Sequence, residues 1–112
     1  MKPLVDLALV IRSKNAGPFE LTIDIIFKSR EIYERVKKEQ LLNAALIARL
    51  YRIPEEDVLG VTYFDPAAAF KATMKRRLPS GNPGEKDIYG AQQHAPLLEL
   101  ALPWSDAGDP AS

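Results

Sequence analysis

Two clusters of polar residues, one towards each end of the chain, hold the side chains best suited to bind a ligand. The first lies between two apolar runs and contains Arg12, Ser13, Lys14, Asn15 and Gly17. Two cations, a hydroxyl and an amide can all donate hydrogen bonds to one anionic group, and a glycine lets the backbone come close to it. We interpret this stretch as an anion-binding or interface loop, with a solvated, charged turn as the alternative.

The second cluster extends from Asp87 to His94 and precedes the last apolar run. His94 is the only histidine of the chain, and a histidine can act as a general acid or base near neutral pH. We therefore nominate His94 and Tyr89 as candidate catalytic residues, and Gln92 and Gln93 as candidate ligand or interface contacts. The alternative is that His94 and Tyr89 are hydrogen-bonded structural residues. Whether the two clusters meet in space does not follow from the sequence.

Composition excludes several classes of function. Fifteen basic and fifteen acidic residues cancel in 112 residues, so no overall field favours nucleic acid or an anionic membrane surface. The chain has no cysteine and one histidine, which argues against disulfides and against a transition-metal site. We expect no metal and no cofactor. No apolar run approaches about 18 residues, and Asp6 interrupts any signal-peptide core, so we expect a cytoplasmic protein without a membrane segment.

The elements that position these residues follow from periodicity and capping signals. Apolar and polar residues alternate from Glu20 to Phe27, which predicts a half-buried strand. Ser29 and Asn43 each precede residues spaced three and four apart, so each is predicted to cap a helix. The segment from Pro54 to Asp57 is typical of a short helical turn.

The second half of the chain predicts three more strands, at residues 58–65, 70–75 and 97–102, with a corner at Asp65-Pro66. A loop rich in turn-forming residues occupies positions 79–86. Residues 4–11 fit either a strand or a helical turn. We expect one domain over residues 1–103 and a flexible tail over residues 104–112.

This order of elements predicts an α+β fold: a two-layer sandwich with a mainly antiparallel sheet and helices on one face. The ferredoxin-like arrangement is the nearest common architecture. Helices on one side leave the second face of the sheet uncovered. We assign Ile26, Leu97 and either Tyr63 or Phe64 to that face. Because this is a substantial apolar surface, we expect a partner protein or a second copy of the chain to cover it.

Several uncommon strings of residues occur in an order that resembles a bacterial family of small proteins of unknown function, DUF4387. The resemblance covers roughly residues 3–103 and is carried by residues 6–22, 47–51, 53–60, 63–66 and 89–98. The pattern is also similar to the C-terminal domain of AtuA-like proteins, which are named for acyclic terpene utilisation. Arg12, Ser13 and Gly17 match a loop of that domain, and Asp87 to Gly90 match a second stretch, but the residues at positions 14–16 differ from its pattern.

The resemblance implies a ferredoxin-like fold and a function beside a larger protein. It suggests a small subunit or accessory domain of an AtuA-like partner, in the catabolism of organic acids or their thioesters. The first cluster would then bind a carboxylate or face the partner. Two alternatives stay open: a non-catalytic structural or regulatory homo-oligomer, and a free-standing lyase or hydratase in which Arg12 holds the anion and His94 carries the proton.

Overall fold

The structure is a computed structural model that describes residues 1–17, 19–75 and 95–104. Two single-turn 3₁₀ helices, Glu55–Asp57 and Asp65–Ala67, precede the fourth and fifth strands. The strands and α-helices, in chain order, are β1 (Lys2–Pro3), α1 (Leu4–Leu7), β2 (Ala8–Asn15), β3 (Glu20–Phe27), α2 (Arg30–Glu39), α3 (Ala44–Tyr51), β4 (Val58–Phe64), β5 (Ala69–Lys75), α4 (Ala95–Leu98) and β6 (Ala101–Leu102).

The main sheet has four strands in the order β2-β3-β5-β4, and all neighbours are antiparallel. A separate two-stranded ribbon pairs β1 with β6. The predicted two-layer α+β fold with an antiparallel sheet is confirmed. As in a ferredoxin-like sheet, two parallel strands, β3 and β4, flank an antiparallel one, β5, and helices connect them. The outer strand beside β3 comes from the N-terminal side of the chain.

The two longest helices begin where the capping signals predicted. The Ser29 side chain accepts a hydrogen bond from the Ile32 backbone N–H (3.1 Å), and Asn43 does the same for Leu46 (2.9 Å). These bonds satisfy N–H groups that a helix leaves without partners at its first turn. Both helices end at residues in the left-handed conformation, Gln40 and Arg52. The short turn predicted at Pro54 to Asp57 is the first 3₁₀ helix.

The core lies between the helices and one face of the sheet. Aromatic rings continue through it from Phe27 to Tyr33, Tyr63 and Phe70, with centroids 6.2, 6.1 and 5.0 Å apart in that order. Alternate residues of β3 and β5 complete it from the sheet side, because a strand directs every second side chain to the same face. These are Leu21, Ile23, Ile25, Phe27, Phe70, Ala72 and Met74.

The prediction of a loop at Arg12 is wrong, because residues 12–15 continue strand β2. The polar side chains hid the strand, since they occupy both of its faces in this half of the element. Residues 4–11 contain both of the structures that their pattern allowed: helical turn α1 first, then the start of β2. Of the first cluster as defined above, Gly17 lies in the turn between β2 and β3.

The prediction of a strand over residues 97–102 is also largely wrong. Residues 95–98 form helical turn α4, and only Ala101 and Leu102 pair with β1. Leu97 is fully buried in the core and is not on the second face of the sheet. Trp104, at the start of the predicted tail, is buried, with 9% of its surface exposed. In the part of the chain that the structure describes, no helix has both the length and the hydropathy needed to cross a membrane.

Candidate functional site

The face of the sheet that points away from the core is the candidate site, and we call it the open face. Its members follow from the strand register, because residues opposite one another on neighbouring strands share a face. The open face consists of Val10, Arg12 and Lys14 from β2, Glu20, Thr22, Asp24 and Ile26 from β3, Ala69, Lys71, Thr73 and Lys75 from β5, and Gly60, Thr62 and Phe64 from β4.

The centre of the open face is a carboxylate held between two cations. Arg12 donates from Nε to Asp24 Oδ2 (3.1 Å), and Lys71 donates from Nζ to Asp24 Oδ1 (3.2 Å). Burial by itself would raise the pKa of Asp24, but the hydrogen bonds from Arg12 and Lys71 outweigh it and hold that pKa below its usual value. Asp24 is therefore ionised at neutral pH, although its side chain is only 10% exposed.

Polar groups continue the site on one side of Asp24. The hydroxyls of Thr22 and Thr73 lie 3.4 Å apart on neighbouring strands. Lys14 is opposite Thr22 in the register and is exposed, and it makes no ion pair with the described residues. Arg12 uses only its Nε on Asp24, so both terminal nitrogens of the guanidinium can donate to a ligand. This corner of the face can bind an anion.

An apolar row borders the site on the other side of Asp24. Val10, Ile26, Ala69 and Phe64 are opposite one another across the four strands. Phe64 is 43% exposed, and the Lys71 ammonium lies 5.9 Å from the centre of its ring. The predictions that place Ile26 and Phe64 on the second face are confirmed, while Tyr63 belongs to the core side. The open face therefore combines an exposed aromatic ring with a charged centre.

The structure divides the first cluster between the two faces of the sheet. Ser13 and Asn15 are opposite Ile23 and Leu21, two core residues, whereas Arg12 and Lys14 belong to the open face. One ligand can therefore contact either the two cations or the hydroxyl and the amide, but not all four groups, as the sequence interpretation had supposed.

Gly17 has a structural reason to be glycine. Its φ of 136° lies in a region that L-amino acids rarely adopt, and it occurs where β2 turns back to β3. A hydrogen bond from the Ala16 N–H to the Glu20 carbonyl (2.9 Å) closes this turn. The second cluster, with Tyr89, Gln92, Gln93 and His94, lies outside the described residues, so its predicted roles stay predictions.

Asp65 is the centre of another polar cluster, which sequence reasoning treated as a turn only. Its Oδ1 accepts hydrogen bonds from the Tyr33 hydroxyl and from Lys37 Nζ, the latter at 2.8 Å. The bond from Lys37, followed by that from Tyr33, lowers the pKa of Asp65. Arg30 donates to the Asp65 carbonyl (2.5 Å). The cluster fastens α2 to the end of β4, and because its groups are already paired it is better suited to stability than to ligand binding.

A shallow cleft of about 280 Å³ lies between the α2–α3 connection and β6. Of the described residues that line it, only Arg49 is charged, and most of the others are apolar. Ligand pockets for small molecules usually begin at about 300 Å³ and enclose most of the ligand. The open face therefore remains the stronger candidate.

Comparison with known proteins gives a family but no activity. No curated protein and no solved structure matches the chain. One family model matches, and its description is "Domain of unknown function (DUF4387)". The match covers residues 4–101, which include α1, all four strands of the main sheet and the whole open face. On this evidence the chain belongs to the DUF4387 family.

Proposed function

We propose that this chain is a small subunit or accessory domain that docks through its open face onto a larger, AtuA-like protein. The observation that carries the proposal is the composition of the open face. A charged centre formed by Arg12, Asp24 and Lys71 lies next to an apolar row that ends in the exposed ring of Phe64. The family supplies no function of its own, and the resemblance of the sequence to AtuA-like proteins supplies the partner.

In the complex, Arg12 and Lys14 on the open face would bind the anionic part of an organic acid or a thioester. The terminal nitrogens of Arg12 suit a carboxylate, because a guanidinium can bind both carboxylate oxygens at once. Lys14 adds a second positive charge on the same strand face, two residues further along β2. The larger protein would contribute the remaining groups, with His94 and Tyr89 as the proposed proton carriers from this chain.

Co-expression with the larger protein tests the docking surface. Lys14→Glu reverses a charge on the open face without touching the bonds of Asp24. Lys38→Glu makes the same change on α2, in the helical layer, where Lys38 is also exposed. We expect wild type and Lys38→Glu to co-purify with the larger protein and Lys14→Glu to be recovered in clearly lower yield. Equal recovery of all three chains, or of none, would contradict the proposal.

One observation favours a second function, that of a structural module without chemistry. Both oxygens of Asp24 are already bonded, as expected of a group that locks two strands to a third. In that case Arg12→Ala would lower the melting temperature but leave the activity of the complex unchanged. A loss of substrate affinity in Arg12→Ala, with the complex intact, would exclude the structural module.

A further inference from the structure

The edge strand β4 has an unusual composition for an edge. Among the described residues it has one neighbour, β5, so its other side presents unpaired backbone N–H and C=O groups. None of its seven residues, Val58 to Phe64, is charged and none is proline. Natural edge strands usually carry a lysine, a proline, an inward charge or a bulge that prevents pairing with another chain. The bulge of β4 lies at its start, between Val58 and Gly60, and leaves the rest of the strand regular. The opposite edge, β2, has such protection in Arg12 and Lys14.

Gly60 adds a second observation, because nothing in the described residues requires glycine there. Its φ lies outside the left-handed region, and a Cβ built on it meets no atom within 4 Å. Glycine inside a strand weakens the strand, and it often marks a bulge or a place where another group comes close. Gly60 directly follows the bulge of β4, and its side of the strand is also open to a second chain. In the described structure, the space above Gly60 on the open face is empty.

We propose that β4 pairs antiparallel with β4 of a second copy of this chain, about a two-fold axis at Thr62. The register follows from a bulge: Leu59 is the extra residue between Val58 and Gly60, so the regular part of β4 runs from Gly60 to Phe64. Thr62 is the midpoint of that part. A two-fold axis there places each Phe64 opposite Gly60 of the other copy.

The side chains of this register are complementary on both faces. On the open face, the ring of Phe64 covers the space above the other copy's Gly60, and the two Thr62 hydroxyls meet as Thr22 and Thr73 do inside the sheet. On the core face, Val61 lies opposite Tyr63. The dimer is one continuous eight-stranded sheet. Pairing through β2 would instead bring the cations Arg12 and Lys14 of two copies together, which disfavours it.

The test uses opposite charges at the two-fold axis of the isolated chain and is independent of the proposed larger partner. Thr62 is exposed, so Thr62→Lys and Thr62→Asp leave the core intact. Each variant alone places like charges opposite each other, and we expect the dimer dissociation constant to rise about fivefold for Thr62→Lys. The rise is smaller for Thr62→Asp, because Lys71 lies opposite position 62 on β5 and its positive charge offsets part of the repulsion between the two aspartates. A mixture of the two variants restores pairing.

Native mass spectrometry of wild type, each variant and the mixture measures these populations directly. The supporting result is a wild-type dimer that both variants weaken, and an equimolar mixture in which the heterodimer is more than twice as abundant as either homodimer, the ratio that random pairing alone would give. Leu9→Lys is the matched control, since Leu9 is 68% exposed on the other edge strand. A monomeric wild type overturns the proposal. So does a dimer that Leu9→Lys dissociates and Thr62→Lys does not, or a mixture whose heterodimer does not exceed the random ratio.

Discussion

Replacing glycine by alanine should have different effects at Gly17 and at Gly60. A Cβ added at either position would meet no atom within 4 Å, so the difference lies in the backbone. At Gly17 the backbone itself excludes other residues, because φ is 136°. We expect Gly17→Ala to cost about 1–3 kcal/mol of folding free energy, the usual magnitude for a side chain held in such a region. Chemical denaturation measures this cost. Gly60→Ala is the control. At protein concentrations low enough to keep the chain monomeric it should be neutral or slightly stabilising, since the conformation of Gly60 is open to alanine. If the two substitutions change the free energy of unfolding equally, the backbone of Gly17 does not require glycine.

Asp24 gives the chain a pH-dependent stabilisation whose sign follows from its lowered pKa. The folded state binds this proton more weakly than the unfolded chain does, so the stabilisation is complete at neutral pH and is lost as pH falls below the ordinary value of 3.8. We expect Asp24→Asn to lower the free energy of unfolding by about 1 kcal/mol at neutral pH, since both cations are partly exposed. Denaturation of both proteins across the acid range should show this difference disappear.

Asp6→Asn is the control for that experiment. Asp6 is exposed on α1 and makes no ion pair with the described residues, so its variant controls for the loss of one surface carboxylate. A difference between wild type and Asp24→Asn that grows towards acid pH would show that the sign is wrong.

At the scale of elements, Asn43 joins the two long helices. Its Oδ1 caps α3 through Leu46, and its Nδ2 donates to the carbonyl of Gln40 just after α2 (2.9 Å). We expect Asn43→Ala to cost about 1–2 kcal/mol, and Asn43→Ser, which can still cap, to cost less. Thermal unfolding followed by circular dichroism ranks the three proteins. An alanine variant as stable as wild type would mean that the cap contributes nothing.

Elements with a clear period or a capping signal were predictable from sequence. The strands at residues 20–27 and 70–75 alternate cleanly, and Ser29 and Asn43 are caps because of local bonds three residues away. The second half of strand β2, from Arg12 to Asn15, was missed because β2 is an edge strand whose core-facing positions include Ser13 and Asn15. The last strand was misjudged because Leu97 lies in α4, which contacts α1 and α3, whereas Leu102 lies in β6, which pairs with β1, and no local pattern reveals these contacts.

The candidate site was predictable only in part, for a related reason. Arg12 and Lys14 could be nominated from their types and spacing. Asp24 and Lys71 could not be joined to them, because Asp24 lies 12 residues from Arg12 and 47 residues from Lys71 in the chain. Their contact depends on which strands pair and in which register, and that information is distributed over the whole sheet.

At the scale of the whole molecule, the two ends of the described chain are fastened to each other and to the helices. Strands β1 and β6 pair, Leu102 is buried, and Trp104 packs under Arg35 of α2 with the guanidinium carbon 4.0 Å from the ring centre. A cation at this distance from an indole adds to the burial of the ring. Residues 102–104, which follow the matched segment 4–101, are therefore part of the packed structure.

We expect Trp104→Ala to lower the free energy of unfolding by about 2–4 kcal/mol, because it removes a large buried ring. Trp104→Phe keeps a ring against Arg35 and should lose less. Urea denaturation of the three proteins measures both values. If Trp104→Ala unfolds at the same urea concentration as wild type, the ring does not contribute to the core.

Trp104 is the only tryptophan of the chain, and its position turns it into an optical reporter. Its ultraviolet emission comes from one place, where the ribbon of the two chain ends rests on α2. Loss of that contact would expose the indole to water and shift the emission to longer wavelength, while peptide-bond ellipticity follows the main sheet and the helices. Recorded together during unfolding, the two signals tell whether the chain ends separate before the sheet or together with it.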